Sequence, residues 1–154
     1  MSFDPASEGW APRVPIGFSG LTGPLWSRPE GDGWAYGILA EPRHANGHGI
    51  VHGGLLVTLL DNALGLTVWH AVGLRPAVTM QLNTHFLAAA HPGEFLEARG
   101  EILRLANSVV FIRGEVVAGG RKVAAADGVW KVLAAKPGAP KPDQDPARGL
   151  AAAP

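Results

Sequence analysis

The chain has 154 residues, of which 47% are hydrophobic, and this is enough to build the core of one domain. Its 13 basic and 13 acidic residues give a net charge of zero, so no basic excess is available to neutralise nucleic-acid phosphates. The absence of cysteine excludes disulfides, thiolate zinc sites and a cysteine nucleophile. These properties predict a globular protein that does not bind nucleic acid.

Neither end of the chain has the pattern of a buried element. Residues 1–15 mix proline, glycine, serine and charge, and residues 136–154 are rich in proline and alanine, so we predict a tail at each end. The stretch MSFDPASEGW also lacks the basic and apolar regions of a signal peptide, and we therefore expect a cytoplasmic location. The folded domain should occupy residues 16–135.

The first half of this domain predicts one strand followed by one long helix. GWAYGILAE has the aromatic and aliphatic content of a strand, and Pro42 ends it. The segment Gly54–Val72 is apolar nearly all round, which is typical of a helix buried on most sides. The apolar run is long enough to span a membrane, but Asp61 and His70 interrupt it, so we predict a buried helix and no membrane contact.

Four strand candidates follow the helix. AVTMQLNTHFL alternates apolar and polar residues, and its alternation puts Thr79 on the polar face with Gln81 and Asn83. EFLEARGEILRL, SVVFIRGEVVA and KVAAADGVWKVL are separated by short turns and are predicted to continue as a meander. The pattern predicts an α+β fold in which a curved antiparallel sheet of five to six strands wraps around one long central helix. The alternative is a sandwich with the helix on one face, but a helix that is apolar all round needs cover on several sides.

Two glycines and a carboxylate make the central helix a candidate catalytic element. Gly53 and Gly54 stand where the helix should begin, and the N–H groups there lack internal partners and favour an anion or a developing oxyanion. Asp61 lies in an apolar run, where an uncompensated charge is costly. The glycines alone would also fit a simple turn. Asp61 is accordingly either a core aspartate with a buried partner or a group retained for chemistry.

The spacing of these residues predicts a site that needs two subunits. Asp61 lies eight residues after Gly53, which separates the two backbones by about 12 Å at a helical rise of ~1.5 Å per residue. A reacting carbonyl must lie about 3 Å from its oxyanion donor, and an aspartate reaches only a few ångströms. Two antiparallel helices related by a two-fold axis would put the glycines of one subunit opposite the aspartate of the other.

The loop before the helix contributes an asparagine and three histidines. The Asn46 amide could donate to a carbonyl or hold a water, although Asn-Gly is also an ordinary turn signal. His44, His48 and His52 are spaced by four, as metal ligands on a helix can be, but the intervening glycines oppose a helix and HExxH is absent. We therefore predict no metal site, and we expect the His52 ring to fix the loop.

Taken together, NGHGIVHGGLLVTLLDNALG resembles the signature of the hotdog-fold acyl-CoA thioesterases of the phenylacetic-acid-degradation type. That signature has a loop asparagine, then His-Gly-Gly, then an aspartate nine residues after the histidine, which is His52 in this chain. The resemblance covers about residues 30–134. It implies a hotdog fold, an acyl-CoA substrate, no cofactor, and a homodimer or homotetramer with active sites shared between subunits.

The resemblance also implies roles for individual residues. The N–H of Gly53, with Gly54 beside it, would polarise the thioester carbonyl, and Asn46 would hold that carbonyl or the water. Asp61 of the neighbouring subunit would act as a general base on water or as a nucleophile that forms a transient anhydride. Thr79 occupies the position where family members can have a hydroxyl that positions the water.

One departure from the family pattern concerns the carrier of the acyl group. Many relatives have a Gly-basic pair at the turn between the third and fourth strands, whereas this chain has RLANSVV. Arg104, Asn107 and Ser108 are the substitutes that we expect to contact the nucleotide end, and Arg104 is preferred because it precedes the turn. The carrier is therefore either coenzyme A or an acyl-carrier protein.

Two other functions remain open at this point. A hotdog hydratase or dehydratase would pair His52 with Asp61, although the spacing is unlike that of those relatives. A non-catalytic module would bind an acyl thioester without cleaving it. The acyl group itself is undetermined, since the large aromatic residues that could wall its pocket fit core packing equally well: Trp69, Phe86, Phe111 and Trp130.

Overall fold

The computed structural model describes residues 3–134. Within this range the strands are β1 (Ala11–Arg13), β2 (Leu25–Glu30), β3 (Gly33–Leu39), β4 (Ala77–Phe86), β5 (Phe95–Ala106), β6 (Val109–Ala118) and β7 (Arg121–Val132). The helices are a short α1 (Phe18–Leu21) and the long α2 (Gly53–Ala71), and 3-10 turns occur at Pro5–Glu8 and Pro42–His44. The predicted helix and all five predicted strands are therefore present.

All the strands join one antiparallel sheet in the order β1-β2-β3-β5-β6-β7-β4. The prediction of a simple four-strand meander after the helix is wrong, because β4 pairs with β7 and not with β5. A strand has only two edges, and those of β5 are taken by β3 and β6. β4 therefore forms the far edge of the sheet, beyond β7.

The predicted α+β architecture is confirmed, with a sheet that curves around one long helix. It has seven strands, more than the five to six predicted. The additional strands β1 and β2 each contain a proline, Pro12 and Pro29, which weakens the strand signal in a sequence. β1 lies in the segment predicted to be an N-terminal tail, and Trp10 beside it is buried. The C-terminal tail predicted at 136–154 lies outside the described residues.

Helix α2 packs on β3, β4, β5, β6 and β7 and fills the centre of the core. Leu64 is fully buried where the helix lies closest to the sheet. A Cβ on Gly100 or Gly114 would lie 2.8 or 2.4 Å from the Leu64 Cδ2 atom. These two glycines therefore allow the close approach of helix and sheet. No helix within residues 3–134 is long and apolar enough to cross a membrane.

The close contact at Gly114 predicts a loss of stability on substitution. Gly114→Ala should lower the free energy of unfolding by about 1–3 kcal/mol, because the new methyl group would clash with the Leu64 side chain and with the Arg99 carbonyl oxygen. Gly47→Ala is the matched control, since a Cβ there meets nothing within 4 Å. Urea denaturation of both variants measures the difference, and equal stabilities would contradict this account of the contact.

Candidate active site

His52 caps the start of α2. Its Nδ1 accepts a hydrogen bond from the Gly54 N–H at 2.8 Å, and its carbonyl accepts one from the Leu55 N–H at 2.9 Å. The N–H of His52 itself donates to the His44 carbonyl at 2.8 Å. Gly53 is left as the residue of the first turn whose N–H has no acceptor within residues 3–134. An unpaired N–H at a helix start suits an oxyanion.

Asn46 lies close to that N–H. Both residues line a cavity of about 430 Å³ between the loop, the start of α2 and the end of β4. The Asn46 Oδ1 accepts from the His48 N–H at 2.8 Å, which is the turn geometry that the Asn-Gly signal predicts. Its Nδ2 group has no acceptor in the described chain and can donate to a ligand. The turn role and a ligand role are therefore compatible.

Phe86 is a neighbour of Gly53 that the sequence does not reveal. Its ring lines the same cavity, and a Cβ on Gly53 would lie 3.1 Å from two of its ring carbons. The sequence places the two residues 33 positions apart with no pattern linking them. Their contact arises because α2 and β4 run in opposite directions against each other.

Asp61 has the hydroxyl of Thr79 as its hydrogen-bond partner. Thr79 Oγ1 donates to Asp61 Oδ1 at 2.7 Å, and Asp61 Oδ2 has no partner among residues 3–134. The half-buried carboxylate lines a cavity of about 330 Å³, whose apolar walls include Trp69 and Trp130. Asp61 is therefore not sealed in the core, and it keeps one oxygen free to act on a ligand.

A β-bulge in β4 directs Thr79 toward the helix. The pairing with β7 shifts by one residue between Thr79 and Gln81, so Met80 is the extra residue. Beyond the bulge, Asn83 donates to Asp127 on the outer face of the sheet. The predicted placement of Thr79 on one face with Gln81 and Asn83 is wrong, because one inserted residue reverses the facing of a strand.

Asp61 and Gly53 do not meet within one chain. Asp61 faces Thr79 near the start of β4, whereas Gly53 faces Phe86 at its end. The two groups open into different cavities, one lined by Asp61 and one by Gly53. A single chain therefore cannot apply both groups to one carbonyl in this arrangement, as their spacing in the sequence predicts.

The residues predicted to contact a nucleotide lie at the hairpin between β5 and β6. Ser108 Oγ accepts from Lys131 Nζ at 2.6 Å, and the Asn107 backbone has a φ of 44°. The Ser108 carbonyl accepts from the N–H of Val132, which pairs with Ala77 at the start of β4. The hairpin is thus at the end of the sheet that carries the Asp61 cavity. Arg104 is exposed on β5 nearby.

Two of the three loop histidines, His44 and His52, bond to the backbone through their rings. Like His52, His44 uses its Nδ1 as an acceptor, in this case for the Glu41 N–H at 2.9 Å. Burial lowers the pKa of His44 from its ordinary value, which favours the neutral ring that can accept. Within residues 3–134 no group of three His, Asp or Glu side chains is arranged to hold a metal.

A single long helix wrapped by a curved antiparallel sheet is the architecture of the hotdog thioesterases. In this chain the helix also has an N–H at its start that is unpaired within residues 3–134, and a carboxylate two turns later. The sequence profile of the thioesterase superfamily matches residues 48–125, which include both groups. The chain belongs to this superfamily, and thioester hydrolysis is the general reaction that the comparisons support.

Three relatives illustrate the similarity. A protein of Pseudomonas aeruginosa, named as a candidate esterase, is 31% identical over 112 residues, which are 71% of this chain and 84% of that protein. The structure of a candidate thioesterase from Ralstonia eutropha, named as related to phenylacetic acid degradation, has 26% identity and a TM-score of 0.67 and covers 74% of this chain and 88% of that one. The structure of a Bacillus halodurans protein with coenzyme A has 28% identity and a TM-score of 0.66. The match covers 71% of this chain and 74% of that one. The predicted resemblance to the phenylacetic-acid-degradation type is confirmed.

The contact between Thr79 and Asp61 predicts a loss of thioesterase activity when the hydroxyl is removed. A hydrogen bond to a charged group contributes ~1.5–3 kcal/mol, so Thr79→Val should lower kcat by about 10-fold or more. Thr79→Ser keeps the hydroxyl and should retain most of the activity. Steady-state kinetics with a common acyl-CoA compare the two, and equal losses would show that the hydroxyl is not what matters.

Proposed function

We propose that this protein hydrolyses acyl-CoA thioesters to a free acid and coenzyme A, at active sites shared by two subunits. The observation that carries the proposal is the Gly53 N–H, which has no acceptor within residues 3–134 although the N–H groups of His52, Gly54 and Leu55 around it are bonded. Asn46 lines the same cavity with a free amide group. The coenzyme A in the Bacillus halodurans structure supports coenzyme A as the carrier.

The contacts between α2 and β4 support a two-fold arrangement. Asp61 meets Thr79 and Gly53 meets Phe86, so the two functional ends are eight residues apart on α2 and seven apart on β4. A two-fold axis near Leu82 would bring the Thr79 end of one β4 to the Phe86 end of the other. The Asp61 of each subunit would then approach the Gly53 N–H of its partner.

The edge of the sheet supports the same arrangement. Within residues 3–134, β4 is paired on one side only, with β7. Val78, Met80 and Phe86 on this strand are 47, 64 and 58% exposed. An unprotected strand edge with large apolar side chains invites pairing with another strand. We infer that a second copy of the chain covers β4 in a homodimer, which can pair further into a tetramer.

The chemistry follows from these positions. In one route Asp61 takes a proton from water while the water oxygen attacks the thioester carbon, and the Gly53 N–H stabilises the resulting oxyanion. The C–S bond then breaks, and the departing coenzyme A thiolate takes up a proton. In the other route Asp61 attacks the carbon itself, coenzyme A leaves, and water hydrolyses the mixed anhydride. Both routes need the free Oδ2 of Asp61.

The remaining residues have supporting roles in this proposal. Thr79 holds the Asp61 carboxylate through its hydroxyl, and His52 fixes the helix start through Gly54. Gly54 leaves room for the His52 ring, because a Cβ there would lie 2.9 Å from the His52 Nδ1. The exposed hairpin at the end of the sheet would contact the nucleotide end of coenzyme A through the three polar residues Arg104, Asn107 and Ser108.

Removing the unpaired N–H tests the oxyanion role of Gly53. Proline is well tolerated at the first position of a helix and has no N–H, so Gly53→Pro deletes the donor without breaking a helical hydrogen bond. We expect kcat to fall ~10²–10³-fold, as for loss of one oxyanion donor. Gly53→Ala is the matched control, because it adds bulk beside Phe86 but keeps the N–H. Equal kcat values for the two variants would contradict the role.

Mixing two inactive variants tests the shared site. Asp61→Asn and Gly53→Pro should each abolish or strongly reduce hydrolysis as separate proteins, with circular dichroism spectra like the wild type. If each site takes Asp61 from one subunit and Gly53 from the other, a mixed dimer contains one intact site. Co-expression with two different tags and isolation of the mixed dimer should therefore restore up to half the wild-type kcat per dimer. A mixed dimer with no recovered activity would place both groups in one subunit.

A further inference from the structure

The connection from β1 to β2 carries an uncovered apolar surface. Within residues 14–22, which include α1, the side chains of Val14, Ile16, Phe18 and Leu21 are 81, 62, 69 and 70% exposed. Four large apolar side chains in nine residues form the kind of patch that marks a contact with a ligand or another protein. We call residues 14–22 the N-terminal strap.

The strap is tied to α2 beside Asp61. Ser19 Oγ donates to Asn62 Oδ1 at 3.2 Å, and Asn62 lines the same cavity as Asp61. Phe18, the residue before Ser19, lines a second cavity of about 290 Å³ with residues of the helix start, including Thr58. Thr58 and Asn62 are four residues apart and therefore on one face of α2. The strap thus lies along the helix face that leads to Asp61.

The strap has a defined backbone. α1 lies between Gly17 and Gly23, whose φ angles of 70° and 90° are ones that other residues rarely adopt. Thr22 Oγ1 donates to the Ser19 carbonyl at 2.8 Å, and Arg43 donates to the Leu21 carbonyl at 3.1 Å. Polar groups of the strap are therefore bonded within the strap, to Arg43 and, through Ser19, to α2, while its apolar side chains stay exposed.

We propose that the N-terminal strap is the wall that contacts the acyl chain, and that Phe18 determines which chain lengths are accepted. This inference rests on the proposed function. The thioester carbon must lie at Asp61, so an acyl chain begins beside the point where Ser19 holds the strap. A chain of medium or greater length continuing along the face of α2 would cover Phe18. A short acyl group would end before it.

Truncation of Phe18 tests the inference through chain-length dependence. Phe18→Ala should lower kcat/KM for dodecanoyl-CoA by about 10-fold, mainly through KM, because apolar contact is lost equally from the bound substrate and the transition state. The value for acetyl-CoA should not change. Phe18→Leu keeps most of the apolar contact and should restore most of the activity on the long chain. Phe3→Ala, which removes a 40% exposed ring that packs on Phe95, is the control and should change neither substrate.

Two results of the kinetic comparison would overturn the inference. One is an unchanged chain-length profile in Phe18→Ala. The other is an equal loss on both substrates together with dissociation of the oligomer in analytical ultracentrifugation, which would assign the strap to contact with a second copy of the chain. Calorimetric binding of a non-hydrolysable dodecyl-CoA thioether separates this inference from the proposed function. If the wild type cleaves no thioester, the proposed function fails, whereas equal thioether affinity of wild type and Phe18→Ala defeats the role of Phe18.

Discussion

The rigid geometry of α2 governs the chemistry available to this protein. The helix begins with an N–H that is unpaired within residues 3–134, and it presents a carboxylate two turns later. A helix cannot shorten the distance of about 12 Å between them, because each residue adds ~1.5 Å of rise. The two groups can act on one carbonyl only if a second helix supplies the missing partner. The proposed shared site therefore follows from the length of two helical turns.

The sheet determines how precisely α2 is held. Gly100 and Gly114 let the helix lie close to the strands at Leu64, and the bulge at Met80 turns Thr79 toward Asp61. Each of these features is small, yet each sets where a functional group points. The strand that bonds to the carboxylate, β4, is also an edge strand of the sheet formed by residues 3–134. In the proposed dimer, the orientation of Asp61 and the contact between subunits would therefore both depend on β4.

The start and the middle of α2 differ in their hydrogen bonding. At the start of α2, the His52 ring accepts a hydrogen bond from the Gly54 N–H, and the Gly53 N–H has no acceptor within residues 3–134. The helix start can therefore receive an anion. Farther along, Asp61 keeps one carboxylate oxygen unpaired in a cavity with aromatic walls. The open donor and the open acceptor both lie at half-exposed positions of an otherwise buried helix, where a ligand can reach them. The pair is easier to understand as binding and reaction groups.

Local patterns in the sequence determined the central helix, the five main strands and the spacing of Gly53 and Asp61, because periodicity and residue type are properties of neighbouring residues. The eight-residue interval was sufficient to predict that one chain separates the two groups. Only the tertiary structure decided the pairing of β4 with β7, the facing of Thr79 and the contact of Phe86 with Gly53. The pairing depends on which strand edges are already occupied, the facing depends on one bulged residue, and the contact joins elements far apart in the chain. A pattern among neighbouring residues holds no information about such non-local contacts.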